Sequence, residues 1–382
     1  MTQNSQIRPF RIAIPQTELD DVRARLANTR WTQELPRDQI TDGVQKGPVP
    51  PGWELGVPLD YVHRLVAYWL EEFDWRATEA ALNEIPQFTT SIDGQNIHFL
   101  HVRSADPDAV PLILTHGWPN CFYEYTGVLS ALTDPEGPGT PFHLVVPDTP
   151  GFGFSGPTTE KGWNHLRTAR AWAELMHRLG YERYGAAGND GGSMISPLVG
   201  REDPSRVIGV HVTQIFSFPS GDPAEFEGLP PEDFGKLQFL QSFNDEMSGY
   251  MQLQNTKPQN LAHALADSPA GQLAWIGQLL MDSLSPQDIC ALASIYWYTN
   301  TGASSARMYY EVAHQPPASQ PTTLPLGLAQ FANDFQSIRR FAERDHANIV
   351  SWNVYDRGSH WSAHDAPDLL VTDLRQFFGK LR

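Results

Sequence analysis

The stretch "GAAGNDGGSM", residues 185–194, decides the fold of this chain. It reads as the end of a buried strand, a turn of small residues and the start of a helix. Asp190 is the central residue of the turn, with Gly188 two positions before it and Gly192 two positions after it. Such a connection needs small neighbours, because the strand and the helix approach each other closely around a strained residue. The stretch therefore predicts a sharp turn that carries a carboxylate at its centre.

Short apolar runs on both sides of this turn predict a sheet of buried strands. The runs lie at residues 111–115, 143–147, 184–187, 207–212, 322–329 and 348–355. Helical patterns such as 166–179 separate the later runs. Short buried strands that alternate with helices are typical of a mostly parallel sheet covered on both faces. After Phe216 the alternation stops and helices with loops follow, so we predict an α/β fold with a helical insertion.

Four segments are expected along the chain. Residues 1–86 are rich in aromatic residues and proline, and because exposed tryptophans would be costly we expect this segment to wrap another surface. Residues 87–215 form the first part of the α/β core, beginning with a hairpin whose turn is an Asp-Gly pair. Residues 216–320 form a helical cap, and residues 321–382 complete the core.

Composition restricts the function classes. The chain has 382 residues, of which 41% are hydrophobic, so it can bury a sizeable core. Its formal net charge of -17 repels nucleic acid and anionic membrane surfaces. No run of about 18 apolar residues appears, and the amino terminus lacks the apolar segment of a secretory signal. Because the two cysteines, Cys121 and Cys290, do not make a disulfide framework, we expect a cytoplasmic protein, with a homodimer as an open alternative.

Polar residues follow several of the predicted strands, at the carboxyl ends where ligands bind in sheets of this kind. Asp190 follows one strand, Asp334 follows the next-to-last and His360 follows the last. Carboxylate, carboxylate and histidine in that order match the nucleophile, acid and histidine of an α/β-hydrolase triad, with aspartate in the position of serine. We therefore predict an α/β-hydrolase fold in which these three residues form the catalytic triad.

Two alternatives exist at the turn itself. Asp190 could serve only as a helix N-cap, since Asp, Gly and Ser commonly begin helices. Ser193 could be the nucleophile, but it would need a small residue two positions later, and Ile195 stands there. We reject Ser193, and the polar residues at the other strand ends favour a catalytic Asp190 over a cap.

Position in the chain decides between the candidates for the other two roles. His360 lies in the loop after the last strand, whereas His364 falls in or near the next helix. Asp334 follows a predicted strand, whereas Asp345 and Asp356 lie later in the chain. We therefore favour His360 as the base and Asp334 as the acid.

The motif "HGWP" at 116–119 predicts an oxyanion hole. The backbone N–H groups of Trp118 and of Gly191, which follows the turn aspartate, can point at one oxygen and stabilise a tetrahedral intermediate. An ordinary Gly-Pro turn with a buried tryptophan is the alternative. The sequence carries neither a phosphate-binding loop nor a complete metal-binding histidine motif, so we expect no cofactor and no metal.

An ionised aspartate in the nucleophile position restricts the chemistry. It can attack an sp³ carbon that bears a leaving group, and water activated by the histidine then hydrolyses the resulting alkyl ester. Opening of an epoxide and displacement of a halide both fit. Dehalogenases commonly place a halide-binding tryptophan directly after the nucleophile, where Gly191 stands here. An epoxide oxygen needs a proton donor, and cap tyrosines are available at Tyr250 and at Tyr309 or Tyr310.

These motifs resemble those of the microsomal-type epoxide hydrolases of the α/β-hydrolase superfamily, and the resemblance covers nearly the whole chain. The matching stretches are "RPFRIAIPQTELDDVRARLANTRW", "HGWPNCFYEY", "GNDGGS", "MSGYMQLQ", "SSARMYYE" and "RGSHWSAHDAPDLLVTDLRQFF". The resemblance implies that a small hydrophobic epoxide and water are the substrates and that a vicinal diol is the product. A haloalkane-type dehalogenase and a catalytically inactive relative that only binds a hydrophobic ligand remain the alternatives.

The resemblance also implies a role for each site residue. It implies that Asp190 forms the ester, that His360 activates the water and that Asp334 is the acid. The two cap-tyrosine roles are carried to Tyr250 and to Tyr309.

Two further residues, Trp118 and Pro119 of the oxyanion motif, are expected to contact the substrate. The turn departs from the family pattern on both sides of the aspartate. Asn189 precedes it where glycine is common, and Gly191 follows it where a bulky residue is common. These departures bear on the shape of the pocket.

Overall fold

The computed structural model describes residues 6–36, 49–280, 283–316 and 320–382. In this part of the chain nine strands form one sheet. The strands are β1 Arg8–Pro9, β2 Gln87–Ile92, β3 Gln95–Val102, β4 Val110–Thr115, β5 Phe142–Pro147, β6 Tyr184–Gly188, β7 Val207–Val212, β8 Leu326–Gln330 and β9 Ile349–Val354. Their order across the sheet is β1-β2-β3-β5-β4-β6-β7-β8-β9.

The strands of the sheet are mostly parallel. From β5 across to β9, every pair of neighbours runs parallel, and the pairs from β1 to β5 on the other side are antiparallel. The turn between β2 and β3 consists of Asp93 and Gly94, which both have a positive φ, as the Asp-Gly pair predicts. Both the mostly parallel α/β sheet and the hairpin agree with the sequence.

Helices cover both faces of the sheet. They are α1 Gln16–Ala27, α2 Leu59–Glu71, α3 Trp75–Asn83, α4 Leu129–Thr133, α5 His165–Arg178, α6 Gly191–Glu202, α7 Pro231–Glu246, α8 Gly249–Thr256, α9 Pro258–Asp267, α10 Pro269–Leu280, α11 Pro286–Thr299, α12 Gly302–Ala313, α13 Arg339–Asp345, α14 Ser362–Asp365 and α15 Pro367–Gly379. Shorter 3₁₀ turns lie at Phe122–Val128, Gly153–Ser155 and Pro223–Phe226. Among the described helices, none is both long enough and apolar enough to cross a membrane.

The amino-terminal segment packs onto one face of the sheet. Its strand β1 extends the sheet by pairing with β2, and α1 to α3 share one apolar core with α10, α11 and α15. Trp69 of α2 and Trp75 of α3 are both buried in that core, which removes their apolar surface from water. The side chain of Asn83 exchanges two hydrogen bonds with the backbone of Ile12, at 2.8 and 2.9 Å. These two bonds hold the start of the segment against α3, whereas the β1–β2 pairing and the shared core attach the segment to the rest of the molecule.

Between β7 and β8, the described residues form six helices, α7 to α12, which pack over the loops that follow β4 and β5. Trp118 and Phe152 from those loops form an apolar cluster with Tyr250 of α8, Tyr296 of α11 and Met308 of α12. Because these loops leave the carboxyl ends of parallel strands, the helices cover the edge of the sheet where ligands bind.

The start of β8 differs from the sequence prediction. The apolar run at 322–329 predicts a strand over its whole length, but β8 begins only at Leu326. Pro321 and Pro325 flank the missing part, and proline has no N–H to donate to a strand ladder. Within the part that is not a strand, Thr322 makes only an isolated bridge with His346.

The turn between β6 and α6 is as tight as its glycines predict. Asp190 has φ 51° and ψ −117°, a conformation that is strained for any residue with a side chain. A Cβ atom on Gly192 would lie 1.8 Å from the carbonyl oxygen of Thr115, and one on Gly188 would lie 2.4 Å from the carbonyl carbon of Gly192. The strand before the turn, the neighbouring strand β4 and the helix after it are therefore in backbone contact.

We expect Gly192→Ala to lower the free energy of unfolding by about 3 kcal/mol or more, the upper end of what an overpacked core costs. The added methyl group would have to displace the backbone of Thr115, which is part of the central sheet. Gly235→Ala in the middle of α7 is the matched control, because a Cβ there meets no atom within 4 Å. The control should gain about 0.5–1 kcal/mol from helix propensity. Urea unfolding of both variants measures the difference, and equal stability of the two would contradict the close contact.

Candidate active site

Asp190 is presented at the top of the sheet with one carboxylate oxygen held by backbone N–H groups. Its Oδ1 accepts a hydrogen bond from the N–H of Trp118 at 2.9 Å. Burial favours the neutral carboxyl, but hydrogen bonds from His360, Trp118 and Gly191 outweigh it and hold the pKa of Asp190 below its ordinary value. Asp190 is the residue that precedes α6, yet its side chain makes no capping hydrogen bond to that helix. Asp190 thus stands at the N-cap position, but its side chain meets the N–H of Trp118 and lies beside His360.

His360 lies between the two carboxylates. Its Nε2 is 3.4 Å from Oδ2 of Asp190, and its Nδ1 is 2.7 Å from Oδ1 of Asp334. Desolvation acts against the charged imidazole, but Asp334 and Asp190 more than compensate and raise the pKa of His360 well above its ordinary value. The structure thus brings together the three residues that the sequence placed at strand ends.

A buried glutamine, Gln214, connects the backbone of Asp190 to the carboxylate of Asp334. Its Oε1 accepts a hydrogen bond from the backbone N–H of Asp190 at 2.8 Å, and its Nε2 donates to Oδ2 of Asp334 at 2.5 Å and to Oδ1 of Asn189 at 2.8 Å. Oγ of Ser193 lies 3.0 Å from the same Oε1. Gln214 has no exposed surface. One side chain therefore fixes both the strained turn and the carboxylate behind His360.

Sequence reasoning missed Gln214, and it also missed Glu124. Gln214 lies two residues after the end of β7, so the strand-end rule that found Asp334 could have found it as well. Glu124 is 1% exposed, and its Oε2 is 3.4 Å from the N–H of Gly117. Burial raises the pKa of Glu124 to about 8, so this carboxyl holds its proton at neutral pH. It follows no strand directly, and no pattern in the sequence marks it.

The rejected candidates lie away from the triad. Ser193 is buried and donates its hydroxyl to the carbonyl of Gly188 at 2.9 Å, so it is part of the turn. Nε2 of His364 is 3.3 Å from the amide nitrogen of Asn120. Asp345 pairs with the neighbouring Arg344. Asp356, the other candidate for the acid of the triad, is exposed.

The "HGWP" loop lies directly on the turn. A Cβ on Gly117 would be 2.2 Å from the Cβ of Asp190, so glycine alone permits this approach. Trp118 points its N–H at the carboxylate while its indole faces the helices above. Pro119 is buried beside it, after a cis peptide bond. The loop ends in a 3₁₀ turn, Phe122–Val128, rather than in an α-helix.

Two tyrosines from the helices above meet the indole of Trp118. Tyr250 stacks on it at 5.4 Å between ring centres, and Tyr309 meets it edge-on at 5.7 Å. Burial is the main reason that the pKa values of both phenols are raised, and a hydrogen bond joins their side chains. Tyr310 packs on His314 instead, at 4.1 Å between ring centres. Of the two neighbouring tyrosines in "RMYYE", the structure therefore places Tyr309 at the site.

Two family models match consecutive parts of the chain. Residues 7–125 match the family described as epoxide hydrolase N terminus, and residues 110–282 match the alpha/beta hydrolase fold. A protein of Stigmatella aurantiaca that is provisionally named an epoxide hydrolase is 40% identical over 98% of this chain and 86% of its own. Epoxide hydrolase 1 of Sus scrofa is 30% identical over 99% of this chain and 90% of its own. The solved structure of Aspergillus niger epoxide hydrolase superposes with a TM-score of 0.86, at 29% identity over 99% of this chain and 97% of that chain.

The Gln214 contacts generate a prediction about stability. Gln214→Leu leaves the N–H of Asp190 and Oδ2 of Asp334 without this partner, and we expect the free energy of unfolding to fall by about 2–4 kcal/mol, since each unsatisfied buried group costs about 1–3 kcal/mol. Gln241→Leu is the control, because that glutamine bonds only Asp245 on the exposed surface. The control should change stability by less than about 0.5 kcal/mol. Urea unfolding decides, and a Gln214→Leu protein as stable as the control would remove Gln214 from this role.

Proposed function

The chain belongs to the epoxide hydrolase family, and we propose that Asp190 opens the epoxide by forming a covalent ester. As a member of this family the enzyme hydrolyses epoxides to vicinal diols. One observation carries the proposal for its mechanism. Asp190 has one oxygen on the Trp118 N–H at 2.9 Å and the other 3.4 Å from His360. A carboxylate in this position is held for attack on carbon, with a base beside it for the second step.

In the first step the ionised Asp190 attacks an oxirane carbon. Its lowered pKa keeps the carboxylate charged, and its free oxygen, Oδ2, forms the new C–O bond. The C–O bond of the oxirane breaks, and the oxygen leaves as an alkoxide that needs a proton. Tyr250 and Tyr309 are the donors nearest to this position, because both rings contact Trp118 directly above the carboxylate. His360 then returns a proton to the phenolate.

Ester formation turns His360 into a base. Asp334 and Asp190 are the two carboxylates that raise the pKa of His360, and the ester removes the charge of Asp190. The neutral imidazole takes a proton from water, and the hydroxide attacks the carbonyl carbon of Asp190. Asp334 stabilises the imidazolium through Nδ1 at 2.7 Å.

The hydrogen-bond donors for the oxyanion of the second step are already in place in the free enzyme. The N–H of Trp118 lies on Oδ1 in the free enzyme, with that of Gly191 as the second donor. These dipoles need no reorientation when the negative charge develops on that oxygen. The intermediate collapses, the leaving diol oxygen takes the proton of His360, and the new carboxyl group of Asp190 then gives its own proton to His360, which restores the carboxylate and the charged imidazole.

The surroundings of the carboxylate support a small hydrophobic substrate. Trp118, whose N–H meets the carboxylate of Asp190, packs in an apolar cluster with Phe152, Tyr296 and Met308, and Phe243, Trp275 and Leu279 pack against that cluster. Such a surface binds a hydrocarbon skeleton by excluding water. We propose that Trp118 and its neighbour Pro119 contact the substrate.

We also propose that the enzyme works in a reducing compartment such as the cytoplasm, because the thiols of Cys121 and Cys290 are free.

The tyrosine pair supports an epoxide rather than a halide. A halide ion leaves as a weak base and needs N–H donors, whereas an alkoxide needs a proton. Gly191, directly after the nucleophile, offers no side-chain donor, whereas two phenol rings pack on each other and on Trp118.

We expect Tyr250→Phe and Tyr309→Phe each to slow ester formation by at least about tenfold, because a loss of one proton donor corresponds to about 1.4 kcal/mol in the barrier. Tyr310→Phe is the matched control, since that ring packs on His314 away from the site. Stopped-flow fluorescence of the tryptophans during a single turnover measures the step. A damaging Tyr310→Phe beside a silent Tyr309→Phe would contradict the assignment.

We expect His360→Gln to form the ester and then to stall. The variant keeps Asp190 and both tyrosines, but it has no base for the water, so intact-protein mass spectrometry should show a lasting increase of one substrate mass. His364→Gln is the control and should turn over normally, because His364 lies on Asn120 outside the triad. Asp190→Ala should form no adduct. Full turnover by His360→Gln, or an adduct on Asp190→Ala, would remove the ester mechanism.

A further inference from the structure

Glu124 is a buried carboxylic acid close to the nucleophile, and the ester mechanism makes no use of it. It lies in the 3₁₀ turn Phe122–Val128 and is 1% exposed. Burial is the main reason that the pKa of this carboxyl is raised to about 8, and the charge of Asp190 acts in the same direction. Because a buried carboxyl group is costly, one that is kept beside a reactive carboxylate is expected to have a function.

The carboxyl group of Glu124 holds the loop that supplies the oxyanion donor. Its Oε2 accepts a hydrogen bond from the N–H of Gly117 at 3.4 Å, and the carbonyl of Gly117 accepts one from the N–H of Asn120 at 3.0 Å. The next N–H along the chain is that of Trp118, which meets Oδ1 of Asp190. Gly117 also touches the nucleophile, because a Cβ on it would lie 2.2 Å from the Cβ of Asp190. Glu124 therefore lies behind the oxyanion donor, with one glycine between it and the reacting carboxylate.

Asn189, the residue before the nucleophile, connects Glu124 to the triad. Its Oδ1 accepts hydrogen bonds from Oγ1 of Thr213 at 2.6 Å and from Nε2 of Gln214 at 2.8 Å, so its amide nitrogen points the other way. Within the described part of the chain that nitrogen is buried and completes no hydrogen bond. Asn189 is nevertheless among the groups that lower the pKa of Glu124, which places the two side chains next to each other. A charged Glu124 would thus meet two donors, the N–H of Gly117 and this amide, and could lose its proton without leaving its place.

A negative charge on Glu124 would act against the second step. In that step charge develops on Oδ1 of Asp190, and a carboxylate behind Gly117 would repel it across a buried and poorly screened region. The interaction is reciprocal: the charge of Asp190 raises the pKa of Glu124, so a charge on Glu124 disfavours negative charge at Asp190. The neutral acid holds the same N–H without this repulsion.

We propose that Glu124 is a positioning residue of the oxyanion loop that works only as the neutral acid, so that loss of its proton slows hydrolysis of the ester. The inference rests on the proposed function, because the oxyanion forms only if Asp190 carries an ester. His360 titrates with the opposite effect, since in the ester it must lose its proton before it can act as a base. Burial raises the pKa values of Cys121 and Tyr125 on the same segment, so these two groups keep their protons.

The other charged groups around this turn have partners of their own. They come from the loop after β5 and from α11, α14 and α15. Asp148 bonds His98, Asp288 bonds Tyr123, His364 bonds Asn120, Asp365 bonds the N–H of Ser359, Asp373 bonds His211 and Arg375 bonds the carbonyl of Ala131. The pKa of Glu124 is set instead by its burial and by Gly117, His360, Asn189 and Asp190.

The pH dependence of ester hydrolysis tests this role. The probe is styrene oxide, and the second phase of tryptophan fluorescence in a single turnover with excess enzyme reports hydrolysis of the ester. In the unmodified enzyme we expect the rate to rise as His360 loses its proton and then to fall by at least about fivefold from about pH 8 to about pH 10, as Glu124 becomes charged. Glu124→Gln stays neutral and should show only the rise. Glu124→Leu should also show no fall, but its rate should lie below that of Glu124→Gln at every pH, because the N–H of Gly117 loses its acceptor.

The matched control is Glu136→Gln, which changes an exposed glutamate before β5 and should keep the pH profile of the unmodified enzyme. A hydrolysis rate that does not fall above about pH 8, or a fall that Glu124→Gln retains, would overturn the role of Glu124 and leave the epoxide hydrolase function intact. Equal rates of Glu124→Gln and Glu124→Leu would overturn the positioning of Gly117.

If neither variant folds, infrared difference spectra of the unmodified enzyme decide. The C=O band of a protonated carboxyl group should disappear over the pH range in which the rate falls, and a band that persists through this range would overturn the proposal. Absence of an ester on His360→Gln with a whole panel of aryl and alkyl epoxides would instead count against the ester mechanism, and this role of Glu124 would fall with it.

Discussion

The contact between the carbonyl of Thr115 and the backbone of Gly192 is the constraint on which the site depends. It brings β4, β6 and α6 so close that no side chain fits between them. At the residue in between the chain must turn sharply, which forces Asp190 into a positive φ and points its carboxylate away from the sheet. The same closeness puts the loop after β4 on top of the turn, so that a backbone N–H of that loop meets the carboxylate. Strain and electrostatic stabilisation thus have one origin in backbone packing.

Strain of this kind persists only where neighbouring groups hold it. Here the holding group is an amide side chain, Gln214, which binds the N–H of the strained residue with one end and the acid of the triad with the other. The nucleophile and the base come from distant parts of the chain, yet one buried side chain positions both. Gln214 holds Asp190 directly and holds His360 through Asp334. A displacement of β7, which carries Gln214 just past its end, would therefore disturb both halves of the reaction together.

Much of the fold followed from the sequence because the relevant patterns are local. The buried runs, the Asp-Gly hairpin and the glycines around Asp190 each dictate a backbone shape without knowledge of distant residues. His360 and Asp334 were found by one further rule, that the ends of parallel strands share an edge. The start of β8 was predicted too early, because apolar periodicity takes no account of the donors that Pro321 and Pro325 lack.

The sequence does not predict which buried polar side chains contact each other in the interior. From the sequence, Gln214 looks like an ordinary polar residue. Its importance arises from what lies opposite it, the backbone N–H of Asp190 and the carboxylate of Asp334. Glu124 is similar, since its retained proton is a consequence of burial, which depends on elements far apart in the chain.

Trp118 joins two parts of the molecule that are otherwise separate in sequence. Its backbone belongs to the core, where it touches the carboxylate, and its ring belongs to the cluster beneath the covering helices. Residues of the covering helices can therefore be substituted, which changes the shape of the substrates that fit, as long as the helices still pack on the indole ring of Trp118. Substitutions in the covering helices alone can then change the range of substrates, while the catalytic residues stay the same. A single aromatic ring sets the boundary between what can diversify in such an enzyme and what cannot.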